Sequence, residues 1–315
     1  MDELKELMEK TRLSASRRSF LTKTSGFVGM TTAATLIGVV PGFARTNWMR
    51  DADDRDSDDR DNTSGDTAQQ IFTAALIAED LATTFYYNGL TGMVITDPNL
   101  AGTGGTATKT ASNGNEGNVE YIRAALSEEI MHADLLRALT GGTNSANDPV
   151  QTFYFPTGTF DTLNPFTGIL DALENAFIGA YLNATLEFSQ MAADSKAGIA
   201  HQLDAGGNRI HSTDLEYYAE VASSIMGIES EHRVLGRVIS NTNPANNLCY
   251  EQTDGLTSVY NGTKSAVVAL TPFLTPGTGK TAYSLQAALQ GSSAVSLPCT
   301  GGIPAVPVVK PDHDK

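Results

Sequence analysis

Cysteine, tryptophan and basic residues are all scarce in this chain. Cys249 and Cys299 are its only cysteines, and one tryptophan occurs in 315 residues. Two thiols are too few for a Cys-rich rubredoxin-type or iron–sulfur site. In an oxidising compartment such a pair reads as a disulfide, worth about 4 kcal/mol in the chain-entropy picture. Lys and Arg number 21 against 36 Asp and Glu, a formal net charge of −15. The first 44 residues hold six basic and four acidic side chains, so the remainder carries 15 against 32, or −17. A surface that acidic repels phosphate backbones and excludes nucleic acid as a partner, while it favours solubility and attracts cations. No serine nucleophile elbow and no catalytic-cysteine context occurs. The stretch PGTGKT (276–281) lacks the glycine a phosphate-binding loop needs five residues before Gly279, where Leu274 stands, so it reads as a turn. What is present, 41% hydrophobic and 18% charged residues, describes a globular chain of one or two domains.

Residues 1–44 read as an address rather than as part of the fold. The basic stretch SRRSFLTK (16–23) precedes the apolar GFVGMTTAATLIGVV and a small-residue end, PGFA (41–44), the three-part layout of a secretory signal. Ser16, Arg17, Arg18, Phe20, Leu21 and Lys23 resemble the bacterial twin-arginine pattern. That resemblance implies passage through the twin-arginine export machinery, already folded and often loaded with a cofactor, to the periplasm or the exterior. Cleavage is expected after Ala44. An uncleaved membrane anchor is the alternative, against which the Thr and Gly content of the apolar stretch argues. Residues 45–66, dominated by RDADDRDSDDRDNTSGD, read as a solvated acidic linker.

Four long amphipathic segments follow, at 67–90, 117–140, 166–193 and 213–240, and their length predicts an all-α bundle rather than a layered α/β fold. The connections 91–116 and 141–165 are long for a bundle and are expected to lie over its ends or to hold a short extra element. Residues 241–315 read as a loop-rich, partly helical C-terminal extension that wraps the bundle, tied by Cys249 and Cys299.

Two of the helices carry ionisable groups in the stripe that should be buried. SIMGIESEHRVLG (224–236) sets Glu229 and His232 among Ile225, Ile228 and Leu235, and LSEEIMHADLL (126–136) sets Glu129 and His132 beside Ile122, Ala125 and Leu136. Residues three apart project from one face, and a Glu and a His at that spacing can hold one metal ion. Glu fills 15 of 315 positions, so two Glu-x-x-His pairs among five histidines arise by chance in roughly two of a hundred such sequences. The other two helices supply Glu79 and Glu174 at mid-length, in AEDLATTFY and LENAFIGAY, with Tyr86 and Tyr181 each seven residues later. Glu187 competes with Glu174, but lies about 20 Å further along the axis. Tyr86 and Tyr181 are either donors to the carboxylates or plain core residues. Glu128 and Glu231 fall off the ligand face and are expected in solvent; His201 and His211 flank a Gly-rich loop, and His313 sits in a charged tail. A metal-free network remains the alternative, at the cost of burying four carboxylates against two imidazoles.

The order Glu, Glu-x-x-His, Glu, Glu-x-x-His resembles the ferritin-like di-iron and di-manganese carboxylate proteins. More narrowly, LIAEDLATTFY, SEEIMHADLL, ENAFIGAYLNA and IMGIESEHRVL are similar to the extracytoplasmic ferritin-like family that includes desiccation-related proteins, over about residues 68–240. The resemblance implies a ferritin-like four-helix bundle at 67–240. It also implies six metal ligands, Glu79, Glu129, His132, Glu174, Glu229 and His232, around two iron or manganese ions. Expected partners are those metal ions, dioxygen or peroxide, and an external electron donor unless peroxide is dismutated. The enzymatic reading is an oxidase, peroxidase or catalase in stress defence. Metal sequestration without turnover and a metal-free structural role in desiccation are the alternatives, and oligomer formation is left open.

Overall fold

The computed structural model describes residues 66–242, 245, 256–257 and 266–298. The leader, most of the acidic linker and both cysteines lie outside the described residues, and with them the expected cleavage site and disulfide.

Four helices form the body: α1 (Ala68–Thr91), α2 (Glu116–Leu139), α3 (Leu163–Lys196) and α4 (Ser212–Ile239). Each begins within a few residues of its sequence-predicted start. Thr67 opens α1 with a capping box, its side chain accepting from the Gln70 amide while Gln70 accepts from the Thr67 amide. Asn115 caps α2, and Glu116 and Arg137 place opposite charges at its two ends, matching the helix dipole. Helix α3 starts three residues earlier than its pattern predicts, because Pro165 falls in the first turn, where a missing N–H costs nothing.

Helices α2 and α4 end alike. After α2 the amide of Gly142 bonds to the Arg137 carbonyl at 2.8 Å and that of Gly141 to Ala138 at 3.0 Å; after α4, Thr242 bonds to Arg237 at 2.9 Å and Asn241 to Val238 at 3.0 Å. Both are Schellman closures around a left-handed residue, Gly141 at φ 78° and Asn241 at φ 57°. The two closures stand 100 residues apart, as do Glu129 and Glu229, His132 and His232, and Arg137 and Arg237. The bundle is therefore two similar helix pairs, α1–α2 and α3–α4.

Two apolar clusters divide the interior. One gathers Phe72, Leu76, Leu136, Phe188, Leu215, Val221 and Ile225. In the other, Phe85 stacks on Phe166 with parallel rings 4.9 Å apart, joined by Phe155 and Phe160. Gly89 permits that stack, since a Cβ there would lie 2.5 Å from the Phe166 ring. Along α1, Glu79 falls between the two clusters.

The connections hold more than loops. Residues 152–156 form strand β1 (Thr152–Pro156), and a short hairpin of β2 (Gln202–Leu203) and β3 (Arg209–Ile210) links α3 to α4. The chain after α4 adds α5 (Ala266–Leu274), strand β4 (Lys280–Ser284) and α6 (Leu285–Ser292). Strand β4 pairs antiparallel with β1, Thr152 opposite Ser284 and Pro156 opposite Lys280. PGTGKT thus forms a turn that runs into a strand. Lys280 donates its ammonium to the carbonyls of Pro272 and Thr275 at the end of α5, where the helix dipole favours a cation. Further on, Arg123 Nε of α2 donates to the Val295 carbonyl at 2.7 Å and Ser127 Oγ to Leu297 at 2.7 Å, so the extension is laced to the bundle. Among the described residues no helix is long and apolar enough to cross a membrane.

Candidate metal centre

Glu79, Glu129, Glu174 and Glu229 are each no more than 1% exposed, and so is His232. They come from all four helices. Across α2 and α4, His132 Nδ1 lies 3.4 Å from Glu229 and 3.5 Å from Glu129, while His232 Nδ1 lies 3.0 Å from Glu129 and 3.4 Å from Glu229. The reciprocity means the two helices run antiparallel. Across α1 and α3 the tyrosines do the same. Tyr86 Oη donates to Glu174 Oε1 at 2.6 Å, and Tyr181 Oη donates to Glu79 Oε1. Each tyrosine thus serves the glutamate of the opposite helix, a pairing the seven-residue offset allows only between antiparallel neighbours. His132 Nδ1 closes the ring at 3.4 Å from Glu79.

The ligand atoms fall into two overlapping groups, Glu79, Glu129, His132 and Glu229, and Glu129, Glu174, Glu229 and His232, the atoms of each within 4.8 Å of one another. Glu129 and Glu229 belong to both. Eight atoms of these six residues are buried without a hydrogen-bond partner: Oε2 of Glu79 and Glu174, both carboxylate oxygens of Glu129 and Glu229, and Nδ1 of both histidines. Thr83, one turn after Glu79, adds a buried hydroxyl that is also unpartnered. Buried polar atoms are almost always satisfied, so this concentration is the feature to explain. The donor set, carboxylate oxygens with two imidazoles, could hold metal ions, which would supply the missing partners.

Electrostatics without a cation are correspondingly adverse. Burial, reinforced by the charges of Glu129 and Glu229, pushes the Glu79 carboxyl well above the usual range. Burial and the charge of Glu229 do the same to Glu174. Burial also opposes charge on Glu129, but contact with Glu79, His132 and His232 outweighs it and holds that group below the ordinary carboxylate range. For His132, burial disfavours the imidazolium, yet Glu129, Glu229 and Glu79 around its Nδ1 raise it well above the usual range. His232 is raised likewise, against burial, with Glu128 first among the causes.

Glu128 is not the solvated residue its helical position predicts. Its Oε2 lies 2.8 Å from His232 Nε2, and its side chain is only 36% exposed. The helical wheel gives the azimuth of Glu128 on α2 but not that α4 brings His232 alongside it. Glu231 is exposed as expected, His201 is exposed, and His211 caps α4. Glu187 lies outside both ligand groups; its carboxylate accepts from Asn183 at 2.9 Å, and burial with the nearby charge of Asp66 pushes it up to about 7.

A second buried ionic network escaped the sequence reading. Arg137, eight residues after Glu129, reaches Asp148 at 2.8 Å, Asp134, and Asp80 at 3.4 Å. Asp148 takes the shorter contact, and burial together with its charge pushes Asp80 up to about 8. In the other half Arg237 donates to Asp171 at 3.0 Å and Asp171 accepts from Asn175 at 3.0 Å. The 100-residue register that pairs the two Glu-x-x-His motifs also pairs the two arginines, and was the signal available.

A cavity of about 10 Å³, lined by Tyr86, Ile122, Ala125, Leu170, His232 and Gly236 among others, reaches the centre from the α2–α4 side. That is about the room of one water molecule.

No curated protein and no solved structure matches the chain. A sequence model of the family described as ferritin-like domain matches residues 67–242, the span that holds all four helices and the six converging side chains. On that match, which covers more than half of the sequence, the chain belongs to the ferritin-like domain family.

Proposed function

We propose that this bundle holds a carboxylate-bridged dinuclear iron or manganese centre that carries out redox chemistry on dioxygen or peroxide. The observation that carries the reading is the convergence of eight unsatisfied buried atoms into two groups that share Glu129 and Glu229. Glu79 and His132 would complete one ion's set, and Glu174 and His232 the other's. When bound, two adjacent ions of this kind bring Lewis acidity and two electrons to an O–O bond.

The chain's own residues set the conditions. Tyr181 and Tyr86 each hold one oxygen of Glu79 and Glu174, leaving the other oxygen to point inward. The flanking aromatic and aliphatic clusters exclude bulk water and strengthen every electrostatic contact within. Glu79, Glu174 and both histidines, all shifted toward their protonated forms, would bind cations in competition with protons, so affinity rises with pH. The cavity of about 10 Å³ beside His232 is no larger than one water molecule, which leaves no space for a bulky organic reactant.

Export through the twin-arginine pathway and a part in stress defence belong to the same proposal. They are supported by the leader motif at 16–23 and by an address that carries folded, cofactor-loaded proteins.

The test is metal analysis of the full chain produced with its export route intact. Two iron or manganese ions per chain are expected, lost together in Glu129→Ala and in Glu229→Ala. Oxygen uptake on adding Fe(II), or oxygen release from peroxide, distinguishes turnover from sequestration. Folded variants that keep both ions would remove the assignment.

A further inference from the structure

The two helix pairs repeat each other closely, and the break in the repeat lies at the centre. The 100-residue register sets Glu129 on Glu229, His132 on His232, Arg137 on Arg237 and Gly141 on Asn241. It sets Glu128 on Ile228. One histidine therefore has a carboxylate behind it and the other does not. His232 is 1% exposed and held at both nitrogens: Nε2 faces Glu128 at 2.8 Å while Nδ1 faces Glu129 and Glu229. With Nε2–H donating to Glu128, the Nδ1 lone pair is directed inward. The His132 side chain is 12% exposed, its Nδ1 sits 3.4–3.5 Å from three carboxylates, and among the described residues nothing holds its Nε2.

The two ligand sets themselves match in number and kind. Each ligand group counts three glutamates and one histidine. Each also contains one tyrosine-bonded carboxylate, Glu79 or Glu174. What remains is Glu128, which fixes the tautomer and ring orientation of one ligand and adds negative charge behind it. Partners of that kind are worth about 10–100-fold in metal affinity.

We propose that Glu128 is a positioning residue that makes the two halves of the centre unequal: the His232 half retains its cation, and the His132 half exchanges it with solvent. The inference rests on the metal-centre reading above and assigns each half a different task, one ion kept in place and one supplied and released.

The test is anaerobic titration of the metal-free full chain with Co(II), followed by visible absorption and by equilibrium dialysis. Two steps are expected, the first at least tenfold tighter. His132→Gln should keep the first step and lose the second; His232→Gln should lose the first. Glu128→Leu, which makes the position apolar as Ile228 is in the other half, should weaken the first step about 10–100-fold and leave the second within threefold. Ile228→Glu should tighten the second step. Two equal ions in the wild-type chain, or a Glu128→Leu variant weakened equally in both steps, would overturn the inequality while leaving the centre itself standing. A folded wild-type chain that binds no Co(II) would instead remove the centre, and this inference with it.

Discussion

Replacing Glu174 with Gln should make the metal-free protein more stable. Glu174 is fully buried, its Oε1 accepts from Tyr86 at 2.6 Å, and its Oε2 has no hydrogen-bond partner. Burial and the charge of Glu229 raise its carboxyl well above the ordinary 4.5. A group whose folded pKa is raised contributes its full stability below the unfolded value and loses it as pH climbs toward the folded value. Each pH unit above 4.5 therefore costs the folded state about 1.4 kcal/mol until the folded pKa is reached. At pH 7 the ceiling is about 3 kcal/mol. Gln has the same shape, does not titrate, and still accepts from Tyr86. Its amide can donate where Oε2 had no partner. Urea unfolding in chelator across a pH series should show no gain for Glu174→Gln near pH 4.5, rising to about 1–3 kcal/mol at pH 7. Adding Mn(II) at a hundredfold excess over Kd should stabilise the wild-type chain by about 2.7 kcal/mol for each ion bound, about 5 kcal/mol for two, and reverse the order. A variant less stable at every pH without metal, or a difference that does not move with pH, would refute the account of the site as a set of buried acids awaiting cations.

Three further outcomes follow from the structure. Tyr181→Phe removes the hydroxyl that Glu79 accepts from; metal affinity should fall about 10–100-fold with the helical circular dichroism unchanged, read by equilibrium dialysis. Gly89→Ala should lower stability by about 1–3 kcal/mol, because the added methyl would meet the Phe166 ring at 2.5 Å and that ring is held against Phe85; Gly227→Ala, in an open part of α4, should instead gain up to about 1 kcal/mol. Thermal unfolding of the two variants side by side checks both.

The family resemblance and the buried polar side chains point to the same centre by separate routes. The match to the ferritin-like domain concerns residues 67–242 as a whole. Coordination chemistry concerns individual atoms, and there the chain is lopsided. A carboxylate backs His232, none among the described residues backs His132, and the surrounding arginine networks differ in their acidic partners, Asp80 and Asp148 in one half and Asp171 in the other. A protein built from two similar helix pairs can keep the ligands paired while its halves diverge in the residues just behind them.

Helix number, helix span and the six converging side chains were legible in the sequence because each is a local property. Hydrophobic period, caps and a three-residue spacing all act within one or two turns of a single helix, so Glu129, His132, Glu229 and His232 declare their faces without any neighbour. The offset of seven from Glu79 to Tyr86 and from Glu174 to Tyr181 is equally local. What those tyrosines touch is not, and only the antiparallel packing of α1 on α3 crosses them to each other's glutamate. Glu128 was misplaced for the same reason: its exposure depends on how closely α4 approaches, which no wheel drawn on α2 contains. The strand pair β1–β4 joins residues more than a hundred positions apart, beyond the reach of any local pattern, and Asp80 becomes an unusual acid because packing buries it and Asp148 claims the nearer side of Arg137. Sequence by itself determined which faces carry the acids and imidazoles, since that follows from backbone periodicity. Tertiary structure alone decided which of those groups converge, which are backed and which stay open to water, since those depend on distances between helices.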